Sequence, residues 1–416
     1  MSNLRINPDR LLHDFNALAQ IGSTGDGGVH RPALSENHLA ARRWLRQRIL
    51  DSGLEFQQDA AGNHSAILRS PNPSARTLLL GSHLDSVPHG GRYDGALGVL
   101  AALEVVRTIR DANLELPVHL EAIDFTDEEG TLVGLLGSRA LTGALTPEEL
   151  ANPRGGSQAL RDGLSRAGLA DPLRAVRAPE SLAGFLEVHI EQGNRLNAGV
   201  ADIGIVTALV GIGSFQLAFT GRADHAGTTP MHARRDAGLA AAEMIVRAQG
   251  LAVRAFPDCV INFGQAQFSP GAYNIVPERA ELALEFRAPS QPELDALETA
   301  LLDLAQTTAA SLDISLAYTK QACVAPAPCA PQVQQAFAAA CDDLGLIHIP
   351  LLSGAGHDTQ ALAAVCPAGM IFIPSTGGSH NPNEFAEWEA CVNGANVLLG
   401  AVLKLEGEIG SMIYQS

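Results

Sequence analysis

Two amphipathic patterns open the chain: Leu11, Leu12, Phe15 and Leu18 recur at helical spacing, as do Leu39, Trp44, Leu45 and Ile49. The period then changes. Short apolar runs at 77–80, 118–125, 185–190 and 370–373 predict strands, and they alternate with helical stretches such as 99–109 and 392–405. That alternation predicts an α/β fold with a parallel or mixed sheet covered by helices, whose chemistry sits in loops after strand ends.

The middle of the chain reads differently. From about Gly213 the expected order is strand 214–220, helix 236–248, strand 260–268, strand 279–286, helix 292–309 and strand 314–319. This β-α-β-β-α-β order is that of a ferredoxin-like unit. The stretch Ala325-Pro326-Ala327-Pro328 then leads into another helix and back to the α/β pattern. The expectation is a discontinuous first domain, residues 1–211 and 325–416, with 212–324 inserted into it.

A length of 416 residues with 46% hydrophobic content supports two domains rather than one. The formal net charge of −17, with no Lys/Arg run as a local exception, argues against nucleic acid and anionic membranes as partners. The start MSNLRINPDRLL lacks the basic and apolar regions of a signal peptide, and no apolar stretch reaches bilayer length, so a cytoplasmic location is expected. Six scattered cysteines without a CxxC pair suit reduced thiols better than a disulfide framework or metal ligands.

Chemistry concentrates at four strand ends. GSHLDSVPHGGRYDGALG (81–98) places His83, Asp85, His89 and Asp94 among glycines, directly after an apolar strand. Asp85 is spaced to orient His83 as an outer-shell partner, although alone His83 would read as a core histidine and Asp94 as a helix cap. DFTDEEG (124–130) sets three acids in a row, which repel one another unless a cation or shared protons intervene. Adjacent carboxylates also allow one to bind metal while the other handles protons. EVHIEQG (187–193) and STGGSHNPNE (375–384) add His189 and His380 at further strand ends. If the four converge, three histidines and two or three carboxylates are what two neighbouring divalent ions need, one carboxylate bridging them.

Taken in order, HLDSVPHGGRYDG, TDEEG, HIEQG, GRADHAGTTPM, NIVPER and SGAGHD resemble the peptidase-M20-like amidases of the hydantoinase/carbamoylase group over nearly the whole chain. That group includes N-carbamoyl-L-amino-acid hydrolases, allantoate amidohydrolases and β-ureidopropionases. The resemblance implies a homodimer with a dinuclear catalytic domain and an inserted lid and dimerisation domain. It makes His83 and His189 ligands of one ion, Asp94 the bridge, and Glu129 and His380 ligands of the other, with Glu128 as general base and Asp85 orienting His83. His189, where many M20 peptidases have a carboxylate, marks the amidase branch. In the lid it implies that His225 reaches the neighbouring subunit's site and donates to the developing oxyanion. Asn274 and Arg287 match substrate-binding residues, as do Gln192, Gly356 and His357, and a guanidinium suits two-point contact with a substrate carboxylate. The implied reaction cleaves the ureido C–N bond of an N-carbamoyl-L-amino acid, giving the amino acid, carbon dioxide and ammonia, with two divalent ions (Zn, Mn, Co or Ni) as cofactors. Allantoate and β-ureidopropionate are the alternative substrates. One departure stands out: many relatives place Arg-Phe shortly after Glu-Glu-Gly, and here the chain reads Gly130-Thr131-Leu132-Val133.

Overall fold

The structure, a computed structural model, describes residues 4–196 and 199–413. Two compact units divide the chain: Met1–Thr207 with Cys329–Leu351 and Gly356–Ser416, and Ala208–Pro328 with Leu352–Ala355.

In the first unit, α1 (Pro8–Ala19) starts where the Asn7 side chain accepts the Arg10 N–H and Pro8 sits at a position that needs no donor. The Ser35 cap starts α2 (Glu36–Asp51). There follow β1 (Glu55–Gln58), β2 (His64–Leu68), β3 (Thr77–His83), α3 (Ala96–Asp111), β4 (His119–Phe125), α4 (Leu136–Thr142), α5 (Pro147–Ala151), α6 (Ser157–Arg166), β5 (Leu182–Ile190) and β6 (Ile203–Leu209). The second unit contributes β7 (Gly211–Thr220), α7 (Ala237–Ala255), β8 (Val260–Ser269), β9 (Arg279–Ala288), α8 (Gln291–Ser311), β10 (Ser315–Val324) and the two-residue β11 (Ala327–Pro328). The chain ends with α9 (Pro331–Leu344), β12 (His348–Ser353), α10 (Asp358–Leu362), β13 (Ala368–Ile373) and α11 (Trp388–Ile413).

The large sheet runs β1-β2-β4-β3-β5-β13-β6-β11, with β12 beside β6. Its centre is parallel, β4 to β3, β3 to β5 and β5 to β13, so the carboxyl ends of four strands leave on one edge. The pairing of His83 with Phe125 and of Phe372 with His189 brings the predicted loops to that edge. These central strands are buried along almost their whole length, because both faces are covered. One face carries Leu78, Leu80 and Leu186 under α1, α3 and α11, and the other carries Leu79, Ile123 and Phe185 against Leu141 and Leu362.

Four strands, β1, β2, β6 and β12, carry no clear sequence signal. β1 is almost wholly exposed, β2 is only five residues long, and β6 was hidden in the approach to the middle region. Among the described residues, no helix is long and apolar enough to cross a membrane.

The second unit holds a four-stranded antiparallel sheet in the order β10-β7-β9-β8, and α7 and α8 interrupt the strands in sequence. Strict alternation along β9 puts Leu282, Leu284 and Phe286 into a core with Phe215, Met244 and Leu297. The unit extends past the expected limits of 212 and 324. Ala208 and Leu209 pair with Pro328 and Ala327 where the chain enters and leaves, and Leu352–Ala355 joins them.

Candidate active site

His83 is the last residue of β3, 1% exposed, with Nδ1 held by the backbone carbonyl of Asp85 at 3.0 Å. This fixes the proton on Nδ1 and leaves the Nε2 lone pair, which has no hydrogen-bond partner in the interior. The chain then turns back on itself through Gly95, where φ is +61° and a Cβ would lie 2.4 Å from the His83 ring, so only glycine fits. Gly95 itself is the cap position of α3, and Asp94 makes no side-chain cap bond there. Its carboxylate is free to face the site.

Asp94 Oδ1 lies 3.0 Å from His189 Nε2 and 3.6 Å from His83 Nε2, while Oδ2 lies 3.6 Å from His380 Nε2. His380 Nε2 is in turn 3.4 Å from Glu129 Oε2. Two donor groups therefore share one carboxylate: His83, Asp94 and His189, and Asp94, Glu129 and His380. Neither contains a cysteine. Glu128 Oε2 sits 3.5 Å from His83 Nε2, beside both groups.

The electrostatics of this cluster favour added positive charge, from protons or from a cation. Burial, and after it the charge of Glu129, pushes the Glu128 carboxyl well above the ordinary range, and burial with Asp94 does the same to Glu129. Burial also opposes ionisation of Asp94, yet contact with His189 and the fields of His83 and His380 hold it well below that range. The two buried imidazoles on Asp94 Oδ1 diverge. Burial lowers His83 to about 4, whereas the Asp94 carboxylate overrides burial and lifts His189 to about 9. An orphaned, buried imidazole nitrogen beside carboxylates that cannot all ionise alone is a donor set that fits divalent cations.

Asp85 differs in detail from the expected orientation of His83. Its Oδ1 is 3.9 Å from His83 Nδ1, and the carboxylate instead accepts the backbone N–H groups of Glu128 at 3.2 Å and Glu129 at 3.3 Å. Asp85 thus holds the imidazole with its main chain and the acid pair with its side chain. Of the three consecutive acids, Asp127 does not reach the cluster: its carboxylate accepts the N–H groups of Leu132, Val133 and Gly134 and ties down the loop that follows Glu129. Gln192, expected at the substrate, donates from Nε2 to Asp94 Oδ2 at 2.8 Å and to Ser379. His357 is buried, its ring 4.4 Å from that of His189 and both its nitrogens without hydrogen-bond partners. Gly356 precedes it at the start of α10.

One residue escaped the sequence reading. Glu384, at the end of STGGSHNPNE, accepts the N–H groups of Tyr93 and Asp94 on Oε1 and the Ser379 hydroxyl on Oε2, and Ser379 Oγ also contacts Asp94 Oδ2. It fills the space that a side chain at Gly91 would occupy. Burial, then the charge of Asp94, pushes Glu384 up to about 7.

His225, Asn274 and Arg287, which the resemblance implies for a lid, lie in the second unit, at opposite ends of its sheet. His225 bridges Ile275 and the Ala226 N–H donates to the Asn274 carbonyl, beyond the end where Thr220 pairs with Arg279. Arg287 is at the other end, opposite Ile212, where it donates to Glu285 and to the Gly354 carbonyl. Arg287 lies eight residue steps along β9 from Arg279, roughly 26 Å at the strand rise.

A parallel-centred α/β sheet with paired His/carboxylate donor groups at its carboxyl edge is an arrangement suited to metal-assisted hydrolysis, and residues 79–404 match the peptidase family M20/M25/M40. The chain belongs to this family and is a hydrolase of amide-type C–N bonds. It is 38% identical over 410 residues to an N-carbamoyl-L-amino acid amidohydrolase of Geobacillus stearothermophilus, covering 97% of this chain and all of that one. It is 29% identical to an allantoate amidohydrolase of Bacillus subtilis, covering 93% and 95%. Among solved structures, an amidase of the hydantoinase/carbamoylase family from Burkholderia multivorans superposes with a TM-score of 0.89 at 33% identity, covering 97% and 99%.

Proposed function

We propose that the protein hydrolyses N-carbamoyl-L-amino acids with two divalent metal ions per subunit, in a homodimer whose second unit is a ferredoxin-like lid. The observation that carries this reading is the placement of Asp94, with Oδ1 toward His83 and His189 and Oδ2 toward His380 and Glu129. His83 and His189 would hold one ion and His380 with Glu129 the other, and the nitrogen and oxygen donors without thiolate suit Zn, Mn, Co or Ni. When bound, the ions supply Lewis-acid activation of water and of the substrate carbonyl.

The chain's own residues do the rest. Glu128, positioned through its backbone by Asp85, accepts the proton of the attacking water and returns it to the leaving nitrogen. Gln192 and Ser379 steady the Asp94 carboxylate at Oδ2, away from the histidines that face Oδ1. Arg287 grips the substrate carboxylate, and His225 donates to the oxyanion of the tetrahedral intermediate with Asn274 beside it. About 26 Å of lid sheet lies between Arg287 and the His225 end, which one small substrate cannot span. This separation supports a site completed by two copies, Arg287 from one and His225 from the other. Collapse releases carbamate, which decomposes to carbon dioxide and ammonia.

Similarity to the allantoate amidohydrolase over nearly the whole length makes allantoate the competing substrate. The test is a panel of N-carbamoyl-L-amino acids, allantoate and β-ureidopropionate assayed for ammonia, with bound metal quantified. Turnover of allantoate alone would overturn the substrate, and full activity after exhaustive chelation would overturn the metal centre.

A further inference from the structure

Two strands along the sheet from His83, and lined by none of the cluster residues, a cavity of about 410 Å³ opens between α2, the β1–β2 hairpin and the end of α6. Four arginines (Arg42, Arg43, Arg46 and Arg166) and His64 line it, and no acidic residue does. In a chain of net charge −17 this concentration of guanidinium groups runs against the overall balance. Leu39, Arg42, Arg43 and Arg46 fall on one stripe of α2, at the spacing that turns them all toward the same wall.

The charges are poorly compensated where they stand. Among the described residues neither Arg43 nor Arg46 has a carboxylate partner, and Arg166 meets Glu36 in an exposed pair of little strength. Arg42 gives Nε to Asp124 and Nη2 to the Phe125 carbonyl, which leaves Nη1 against Gly62 in the cavity wall. His64 is 8% exposed, and its Nδ1 has no hydrogen-bond partner. Arg46 lies over the Phe56 ring at 5.2 Å, and that ring meets His64 edge-on, so a flat apolar wall stands beside the charged one.

We propose that this cavity is a second binding site, separate from the catalytic cluster, for a small molecule bearing a multiply charged oxyanion, either a phosphoryl group or a dicarboxylate. Guanidinium forks match both groups geometrically, and the volume is that of a small-ligand pocket. An anion there relieves the mutual repulsion of the arginines and supplies acceptors to groups that lack them. The Phe56 and Leu169 walls take the apolar part of the molecule.

Calorimetric titration of the whole enzyme with adenosine 5′-monophosphate, inorganic phosphate and succinate tests this. Arg42 is left intact, because its partner Asp124 also accepts the Leu84 N–H next to His83 and so ties it to the catalytic cluster. The substitutions are R43E/R46E, with R43Q/R46Q as a milder version should charge reversal lower the thermal midpoint; both side chains are exposed. At least one of the anions should bind, at least tenfold more weakly to R43E/R46E and to an intermediate degree to R43Q/R46Q. Preference for the monophosphate assigns the phosphoryl source and preference for succinate the carboxylate source. Absence of binding at millimolar concentration, or binding that survives both substitutions and so occurs at the catalytic cluster, overturns the proposal.

Discussion

Replacing Glu128 with Gln separates the two members of the acid pair. The amide keeps the shape of the side chain, and the Glu128 backbone stays tied to Asp85 by its N–H at 3.2 Å, so the geometry of His83, Asp94 and Glu129 is preserved. What is lost is a proton acceptor 3.5 Å from His83 Nε2. Loss of a positioned general base lowers kcat by about 10²- to 10⁴-fold, or ~2.7–5.4 kcal/mol at the barrier. Stability moves the other way. Glu128 is largely shielded from solvent and pushed well above its ordinary range, so at neutral pH the fold bears the cost of this carboxyl, whereas unfolding frees it to ionise. The chelated Glu128→Gln protein should therefore unfold at the same temperature as the native chain or higher. Stopped assays of ammonia release, elemental analysis of bound metal and a thermal scan in chelator are the three measurements. Metal lost together with activity would show that Glu128 is a ligand and that the division of labour within the pair is wrong.

Gly95→Ala places a methyl 2.4 Å from the His83 ring in a left-handed backbone conformation, which costs about 1–2 kcal/mol before the clash is counted; metal affinity measured by competition with a chromophoric chelator should fall, and an unchanged affinity would exclude His83 as a ligand. Arg287→Ala should raise KM for carboxylate-bearing substrates roughly ten- to a hundredfold, the worth of a charge-assisted contact, with metal content unchanged. Mixed dimers of inactive His225→Ala and Glu128→Gln chains should recover activity, since one of the two sites then has both residues; no recovery on mixing and re-equilibration would place His225 in its own subunit's site. For acid stability, burial holds His64 at about 3 and His38 well below its ordinary value, so both stay neutral in the fold. Nothing is lost above pH 6.5, the usual histidine value; below it the unfolded chain takes up protons that the folded chain refuses, and stability falls progressively toward pH 3. His64 accounts for about 2 kcal/mol of that loss by pH 5, so His64→Gln should flatten the decline between pH 7 and pH 5 by this amount in urea titrations, and an unaltered slope would contradict its burial as a neutral group.

Much of this protein is written in local pattern. The apolar stretches in the strands that end at His83, Phe125, Ile190 and Ile373 announce elements covered on both faces, and residues at those ends and in the loops after them form the donor groups that the structure brings together. A strand's direction fixes where its last side chain emerges, so loops after parallel neighbours meet at one edge without any long-range information beyond the pairing. The alternation along β9 likewise marks a sheet with one buried face. By contrast β1 and β2 carried too little apolar signal in too few residues to be seen, because their place is set by neighbours.

Tertiary structure decided which polar residue serves which purpose. In the row Asp127-Glu128-Glu129 the three acids are chemically alike, and only the fold turns Asp127 back onto the Leu132–Gly134 N–H groups while Glu128 and Glu129 face the histidines. Gln192 and Glu384 are separated from Asp94 by 98 and 290 residues, yet they are its nearest supports. Spacing cannot reveal such contacts, because hydrogen bonding depends on a few tenths of an ångström and a side chain's orientation is fixed by everything packed around it. The arginine-lined cavity is a product of the fold in the same sense: α2 supplies three of its cations, but only the approach of α6 and β2 gathers them with Arg166 and His64 around one space.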